Sequence, residues 1–96
     1  MQLMLHVSSP AATRLVIRLA RACGRAGIEW GCFFTHAGVR LLQEQAVLVA
    51  LASARRAVVC EHSWAQQFDG LACPVELGSQ TVNSIMMAGA ERVVSL

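Results

Sequence analysis

Cys60 is the residue of this sequence best suited to nucleophilic chemistry. It ends the apolar segment 57–60, which predicts a short buried strand, and the polar segment 61–67 that follows it predicts a helix. A cysteine at such a junction faces the unpaired N–H groups and the positive dipole end of the helix, which stabilise a thiolate and lower the thiol pKa. We therefore interpret Cys60 as a candidate nucleophile. The alternative is a small buried hydrophobic residue that ends a strand.

His62, two residues after Cys60, is a candidate modulator of this thiol. An imidazole so close could add positive charge or accept the thiol proton, whereas the neighbouring carboxylate of Glu61 opposes thiolate formation. Trp64, one turn after Cys60, could shield the thiol or fill a subunit interface.

The other three cysteines are weaker candidates. Cys23 lies in a predicted helix and Cys32 in a predicted strand, so both are interpreted as core residues. Cys73 precedes a proline in a predicted loop and could act as a resolving thiol for Cys60. We expect no metal site, because four ligands without recognisable spacing would have to converge from separate loops: Cys60, His62, Cys73 and His36.

Length and composition indicate a single compact domain, residues 1–96, with few polar residues to cover its surface. Hydrophobic residues make up 55% of the chain and charged residues 15%, which excludes a disordered chain, a coiled coil and a basic nucleic-acid-binding tail. The excess of apolar residues over charge predicts that another subunit covers part of the surface. The net charge of +2, with all eight basic residues arginine, is too mild to indicate a nucleic-acid or membrane partner.

The N-terminal segment lacks the pattern of a signal peptide, and no uncharged apolar run is long enough to span a membrane. We therefore expect a cytoplasmic protein. In that reducing compartment the four cysteines are expected to be free thiols, and their spacing contains no CxxC pair.

The hydrophobic pattern predicts an α/β fold. Strands and helices alternate at a spacing typical of right-handed βαβ units on a parallel sheet with helices on both faces. The first helix is expected to start with Ser9 as N-cap and Pro10 at its first position, and to end near Gly24 or Gly27; Gly89 is expected to end the last helix. The predicted strands are 3–7, 28–35, 57–60, 75–78 and 92–96, and the later predicted helices are 43–54, mostly buried, 61–67 and 80–88.

Four arginines form a stripe along one face of the first predicted helix: Arg14, Arg18, Arg21 and Arg25. This stripe is interpreted as the solvated face of an amphipathic helix, with docking of an acidic partner protein as the alternative. The opposite face is expected to pack on the sheet through Leu15, Leu19, Ala22 and Ala26.

The functional crevice of an open parallel sheet lies beyond the carboxyl ends of its strands. The loops predicted there are 8–9, 35–38 and 60–63. The first has hydroxyl groups but no glycine between strand and helix, so a nucleotide-binding loop is not indicated.

Four segments, in chain order, resemble the DsrE/DsrF-like (TusD-type) family of small sulfur-relay proteins. In that family a strand ends in a cysteine, a Gly-Val-Glu-x-Gly segment opens the last helix, and a short apolar strand closes the chain. The matching segments are Cys32-Phe33-Phe34-Thr35-His36-Ala37-Gly38-Val39, Arg56-Ala57-Val58-Val59-Cys60, Val75-Glu76-Leu77-Gly78 and Ala90-Glu91-Arg92-Val93-Val94-Ser95-Leu96.

The resemblance implies a three-layer α/β/α fold with a mainly parallel sheet of four to five strands, assembled into homo- or hetero-oligomers. It also implies that Cys60 accepts sulfane sulfur as a persulfide from a donor protein and passes it to an acceptor protein, with no cofactor or metal. This sequence departs from the family at His36-Ala37, in place of an acidic-glycine turn, and at Glu61-His62, in place of small residues.

The expected function is therefore a sulfur relay in which Cys60 is the persulfide carrier. Such a carrier could also act as a sulfurtransferase. One alternative is a non-catalytic partner subunit of a sulfur-relay oligomer. Another is a small-molecule-binding module of flavodoxin-like type.

Overall fold

Five parallel strands and four α-helices make up the fold in this computed structural model, which describes residues 1–96. The strands are β1 (Leu3–Val7), β2 (Trp30–Phe34), β3 (Arg56–Cys60), β4 (Glu76–Gly78) and β5 (Arg92–Ser95). The helices are α1 (Thr13–Ala26), α2 (Gln45–Leu51), α3 (Glu61–Phe68) and α4 (Gln80–Ala88), with a 3-10 helix at His36–Gln43 before α2. The strands form one sheet in the order β4-β3-β2-β1-β5, which confirms the α/β fold.

The order of the strands explains how the helices are divided between the two faces. The chain steps from β1 to β4 in one direction across the sheet and then returns to place β5 beside β1. Because such connections are right-handed, a reversal of direction puts the last helix on the opposite face. Val16 of α1, Val47 of α2 and Trp64 of α3 accordingly share the larger core cluster, and Met86 of α4 lies in the smaller one. The result is the predicted three-layer α/β/α arrangement.

Side chains alternate between these two clusters along β1, β2 and β3, as parallel strands buried on both faces require. Cys32 lies in the larger cluster and the next residue, Phe33, lies in the smaller one. Both are fully buried, so the interpretation of Cys32 as a core residue is confirmed.

The first helix begins later than the sequence pattern predicts. It starts at Thr13, and Ala12 occupies the N-cap position without a side-chain cap. The prediction of Ser9 as N-cap is wrong: Ser9 precedes a turn before the helix, where its Oγ accepts from the N–H of Ala11 at 3.1 Å, and the main-chain N–H groups of Ser8 and Ser9 donate to the carbonyl oxygen of Leu96, at 2.9 and 3.3 Å. This pairing ties 8–9 to the end of the chain, next to β5.

The buried face of α1 also differs from the prediction. Val16, Ala20 and Cys23 are buried, whereas Leu15 is 51% exposed. The four arginines are exposed, as expected for a solvated stripe. The predicted end of the helix is confirmed: Gly27 adopts a left-handed conformation with φ of 67°, which costs glycine little.

The segment predicted as one mostly buried helix, 43–54, is shorter and more exposed in the structure. Gln43 belongs to the 3-10 helix, and α2 ends at Leu51. Only Val47 and Leu51 of α2 are buried, and Val49 is 66% exposed, because α2 lies on the outside of the fold and packs with one side only. None of the helices combines the length and the apolar character that a membrane crossing demands.

The last helix follows the prediction closely. It spans Gln80–Ala88, with Gly89 as its C-cap. Ser79 caps its N-terminus by accepting a hydrogen bond from the N–H of Val82 at 3.3 Å.

Candidate functional site

The sheet has a switch point between β3 and β4. The helix that follows β3 lies on one face and the helix that follows β4 lies on the other, although the two strands are neighbours. The segments that follow β3 and β4 therefore separate beyond the ends of these strands. Cys60 and Gly78, the last residues of the two strands, are register partners. Crevices of this kind are the usual ligand sites of open α/β sheets.

A cleft of about 620 Å³ occupies this position. It contains all three histidines of the chain, together with hydroxyl and amide side chains, and no carboxylate lines it. Its lining residues are His6, Thr35, His36, Cys60, His62, Ser63, Gln66 and Gln80.

Cys60 is the only thiol in this cleft. It is the N-cap residue of α3 and is 5% exposed. Burial raises the pKa of the Cys60 thiol, but hydrogen bonds to its sulfur from Ser63, Gln80 and the main-chain N–H of His62 outweigh that effect, so the pKa lies below its ordinary value. The predicted junction of strand, cysteine and helix is therefore present, with amide and hydroxyl donors around the sulfur.

The remaining thiols have different surroundings. Burial raises the pKa of Cys23, and that of the fully buried Cys32 much further. Cys73 is half-buried, packs against the larger core cluster and does not line the cleft. No three histidine, cysteine or acidic side chains lie close enough together to bind one metal ion.

His62 lies in the cleft, in the first turn of α3, and its side chain is exposed. Glu61 is exposed as well and does not line the cleft. His62 and Cys60 therefore line the same cleft, whereas the carboxylate of Glu61 lies in solvent.

His6 is a site residue that sequence analysis missed. It lies on β1, two strands away from β3, and stacks on Phe33 with the ring centroids 6.3 Å apart. Burial and the nearby His36 lower the pKa of His6. One signal was available, because His6 is the only polar residue in the apolar run Leu3–Val7.

Thr35 and Ser63 also line the cleft and lie in the predicted loops 35–38 and 60–63, where they were given no role, whereas Gln80 lies outside those loops and was missed. Thr35 follows β2, Ser63 lies three residues beyond β3, and Gln80 lies two residues beyond β4. Polar side chains just past apolar strands were the available signal, since parallel strands end at one edge of the sheet.

His36 has a backbone conformation that is unusual for a residue with a side chain. Its φ is 51°, and it is the only residue other than glycine with a positive φ. The main-chain N–H of His36 donates to Ser63 Oγ at 2.9 Å. Such conformations cost free energy and are concentrated at functional sites.

The comparisons with known proteins leave the site to be judged on its geometry. No protein-family model matches the chain, and no curated protein matches it.

Trp64 does not shield the thiol. It packs in the larger core cluster, where its ring lies 4.8 Å from that of Phe68 and its Nε1 donates to the carbonyl oxygen of Leu71 at 3.1 Å. Cys60 belongs to the smaller cluster, on the other face of the sheet.

The arrangement suits a nucleophilic thiolate. A cysteine is activated when its pKa falls and donors stabilise the anion, and both conditions hold at Cys60. The polar cleft above it leaves room for a reacting group to approach the sulfur.

Proposed function

We propose that this protein is a cytoplasmic sulfur-relay protein that carries sulfane sulfur as a persulfide on Cys60. The observation that carries the proposal is the position of the Cys60 sulfur, in a polar cleft at the switch point, with its pKa lowered by hydrogen bonds. The resemblance of four segments to the DsrE/DsrF-like family supports it.

The chemistry is an exchange between sulfur atoms. The Cys60 thiolate attacks the terminal sulfur of a donor persulfide R–S–SH, which forms Cys60–S–SH and releases the donor thiolate R–S⁻. An acceptor thiolate R′–S⁻ then attacks the terminal sulfur of Cys60–S–SH, which gives R′–S–SH and restores the Cys60 thiolate. Atoms and charge balance in both steps, and no oxidant, cofactor or metal takes part.

Donor and acceptor in this proposal are proteins. The sulfur of Cys60 is reached through the cleft, so a partner must present its persulfide or thiol on a narrow segment. The family resemblance also implies that the relay works within a homo- or hetero-oligomer.

Intact mass spectrometry tests the proposal directly. After incubation with a sulfane-sulfur donor such as glutathione persulfide, the wild-type protein is expected to gain one sulfur atom, located on the peptide that contains Cys60. Cys60→Ser is expected to gain none, because its hydroxyl is nearly isosteric but cannot hold sulfane sulfur. Cys73→Ser is the matched control and is expected to load as the wild type does.

Two results would overturn the proposal. The first is a wild-type protein that gains no sulfur, and the second is a Cys60→Ser variant that still gains it. A Cys60→Ser variant that loses stability without any change in sulfur transfer would instead favour a non-catalytic partner subunit, in which a buried unpaired hydroxyl costs on the order of 1 to 3 kcal/mol.

A nucleotide-binding module of flavodoxin-like type is disfavoured by the loop between β1 and α1. Its Ser8 and Ser9 N–H groups already donate to the carbonyl oxygen of Leu96. They are therefore not free to bind a phosphate at this position.

A further inference from the structure

Four arginines of α1 form a charged surface that has no partner within the chain. They are Arg14, Arg18, Arg21 and Arg25, here called the arginine stripe, and all four are exposed. The ion pairs of the fold join other groups, so none of the four arginines is neutralised by a carboxylate. The stripe extends over three turns of the helix, about 16 Å. Because like charges at i and i+4 destabilise a helix, α1 carries a charge pattern that an acidic partner would relieve.

A groove of about 310 Å³ between α1 and α2 borders the arginine stripe, and most of its lining residues are apolar. Ile17 and Gly24 line it on α1, and Val49 and Ala50 line it on α2. Ile17 and Gly24 are seven positions apart, so they lie on the same side of the helix. Arg21 belongs both to the groove and to the stripe. No atom lies within 4 Å of the position of a Cβ at Gly24, so the groove is open there.

We infer that the arginine stripe and this groove together form a docking surface for an acidic amphipathic helix of a partner protein. Carboxylates at i, i+4, i+7 and i+11 of such a helix face the four arginines, and apolar side chains on its flank fill the groove. Arginine suits this contact, since its planar guanidinium binds a carboxylate through two parallel hydrogen bonds. The inference goes beyond the proposed function and does not rest on it, because the docking surface shares no residue with the cleft of Cys60.

The shape of the surface favours a protein helix over a lipid bilayer or a nucleic acid. The apolar side of α1 is buried in the core at Val16, Ala20 and Cys23, so α1 has no apolar face to insert into a bilayer. Neither α1 nor α2 contains an aromatic residue that could stack on a base. A short basic row beside an apolar groove matches instead the two faces of an acidic amphipathic helix.

A second copy of this chain is a poorer match for the arginine stripe. Two of the six acidic residues, Glu29 and Glu76, already pair with arginines, and Glu44 accepts a hydrogen bond from Thr13 at 2.6 Å. Glu61 is the only acidic residue within any helix of the chain. A second copy therefore has no acidic helix to place on the stripe.

The test is the binding of a labelled synthetic peptide to the protein, measured by fluorescence anisotropy. The peptide is a helix with glutamate at i, i+4, i+7 and i+11 and leucine on both flanks, so that either chain direction brings leucine to the groove. The wild-type protein is expected to bind it, and to bind it less tightly as the salt concentration rises. A peptide with glutamine in place of the four glutamates is expected to bind about tenfold more weakly.

Two variants test the two halves of the surface separately. Arg18→Gln combined with Arg21→Gln removes the central charges of the stripe and is expected to weaken binding about fivefold. Gly24→Leu keeps every charge, fills the groove and is expected to weaken binding by a similar factor. Arg40→Gln is the control and is expected to bind as the wild type does, because exposed Arg40 lies beside α3, where it donates to Gln67 at 3.1 Å.

Three results would overturn the inference. The first is equal binding of the glutamate and glutamine peptides, and the second is wild-type affinity in the folded Arg18→Gln, Arg21→Gln variant. If that variant does not fold, Arg14→Gln combined with Arg25→Gln replaces it under the same criterion. The third is displacement of the peptide, at physiological ionic strength, by single-stranded RNA or by phosphatidylserine vesicles, which would assign the stripe to another class of partner.

Light scattering with and without the peptide tests a second copy as the occupant. A subunit assembly that keeps its mass when the peptide binds supports the inference. Release of subunits by the peptide would show that a second copy occupies the surface and would overturn it. Absence of persulfide loading would contradict the proposed function and has no bearing on these affinities.

Discussion

Cys60 and Gly78 are register partners at the carboxyl ends of neighbouring parallel strands. A Cβ atom at Gly78 would lie 2.7 Å from Cγ1 of Val58, so the absence of a side chain lets β4 pack against β3 at this point. The segments that follow the two strands diverge immediately afterwards, because α3 and α4 lie on opposite faces of the sheet. The cysteine therefore lies where the fold itself opens a crevice.

The four thiols should differ widely in reactivity. We expect Cys60 to be alkylated with the lowest pH midpoint, because hydrogen bonds lower its pKa, and Cys32 to remain unlabelled in the folded protein, because it is fully buried and burial raises its pKa. Competitive alkylation across a pH series, read by peptide mass spectrometry, measures the order. Earlier labelling of Cys73 or Cys23 would contradict the assignment of the site.

Acidification should destabilise the protein in part through His6. Its pKa is lower in the folded protein than the ordinary 6.5, so the unfolded chain binds the proton more tightly. The stabilising contribution is complete above pH 6.5 and is lost as the pH falls from there toward the folded pKa. Denaturant unfolding from pH 8 to pH 5 should show a smaller loss of stability for His6→Gln than for the wild type. His62→Gln, at an exposed site, is the control, and equal losses in wild type and His6→Gln would disprove the prediction.

Two glycine substitutions should have opposite effects on stability. A Cβ at Gly38 would collide with the main-chain carbonyl of Val7, so Gly38→Ala is expected to lower the free energy of unfolding by about 1 to 3 kcal/mol. Gly24 lies within α1 and has no atom within 4 Å of the position of a Cβ, so Gly24→Ala is expected to raise it by about 0.5 to 1 kcal/mol. Thermal and denaturant melts measure the stability of both variants. If Gly38→Ala left the free energy of unfolding unchanged, the close approach of residue 38 to the main chain of Val7 would be disproved.

The protein should assemble into an oligomer through apolar surface. Val49 on α2 and Ile85 on α4 are 66% and 63% exposed, on opposite faces of the sheet. Light scattering is expected to give a molar mass that is a multiple of the 10.3 kDa subunit mass. A charge introduced at the interface is expected to reduce this mass, as in Val49→Glu or Ile85→Glu. A wild-type monomer at micromolar concentration would contradict this prediction.

Local sequence was sufficient for the alternation of strands and helices and for the position of Cys60. The apolar run Leu3–Val7, the capping of α1 by Gly27 and the full extent of α4 follow from hydrophobic period and cap chemistry between near neighbours. The same kind of pattern placed Cys60 between a buried strand and a helix. These features involve residues only a few positions apart, so the sequence determines them without knowledge of the fold.

Tertiary structure decided where α1 begins, which side of it is buried, and what surrounds Cys60. The local pattern predicts Ser9 as the N-cap, but α1 begins only at Thr13, and the Ser9 N–H pairs with Leu96, 87 positions further along the chain. His6 and Gln80 reach the cleft because β1, β3 and β4 end at one edge of a single sheet. Strand order depends on pairing between distant segments and on the handedness of their connections, and a local pattern contains neither. The sequence by itself thus determined where Cys60 lies between a strand and a helix, and the sheet decided its neighbours.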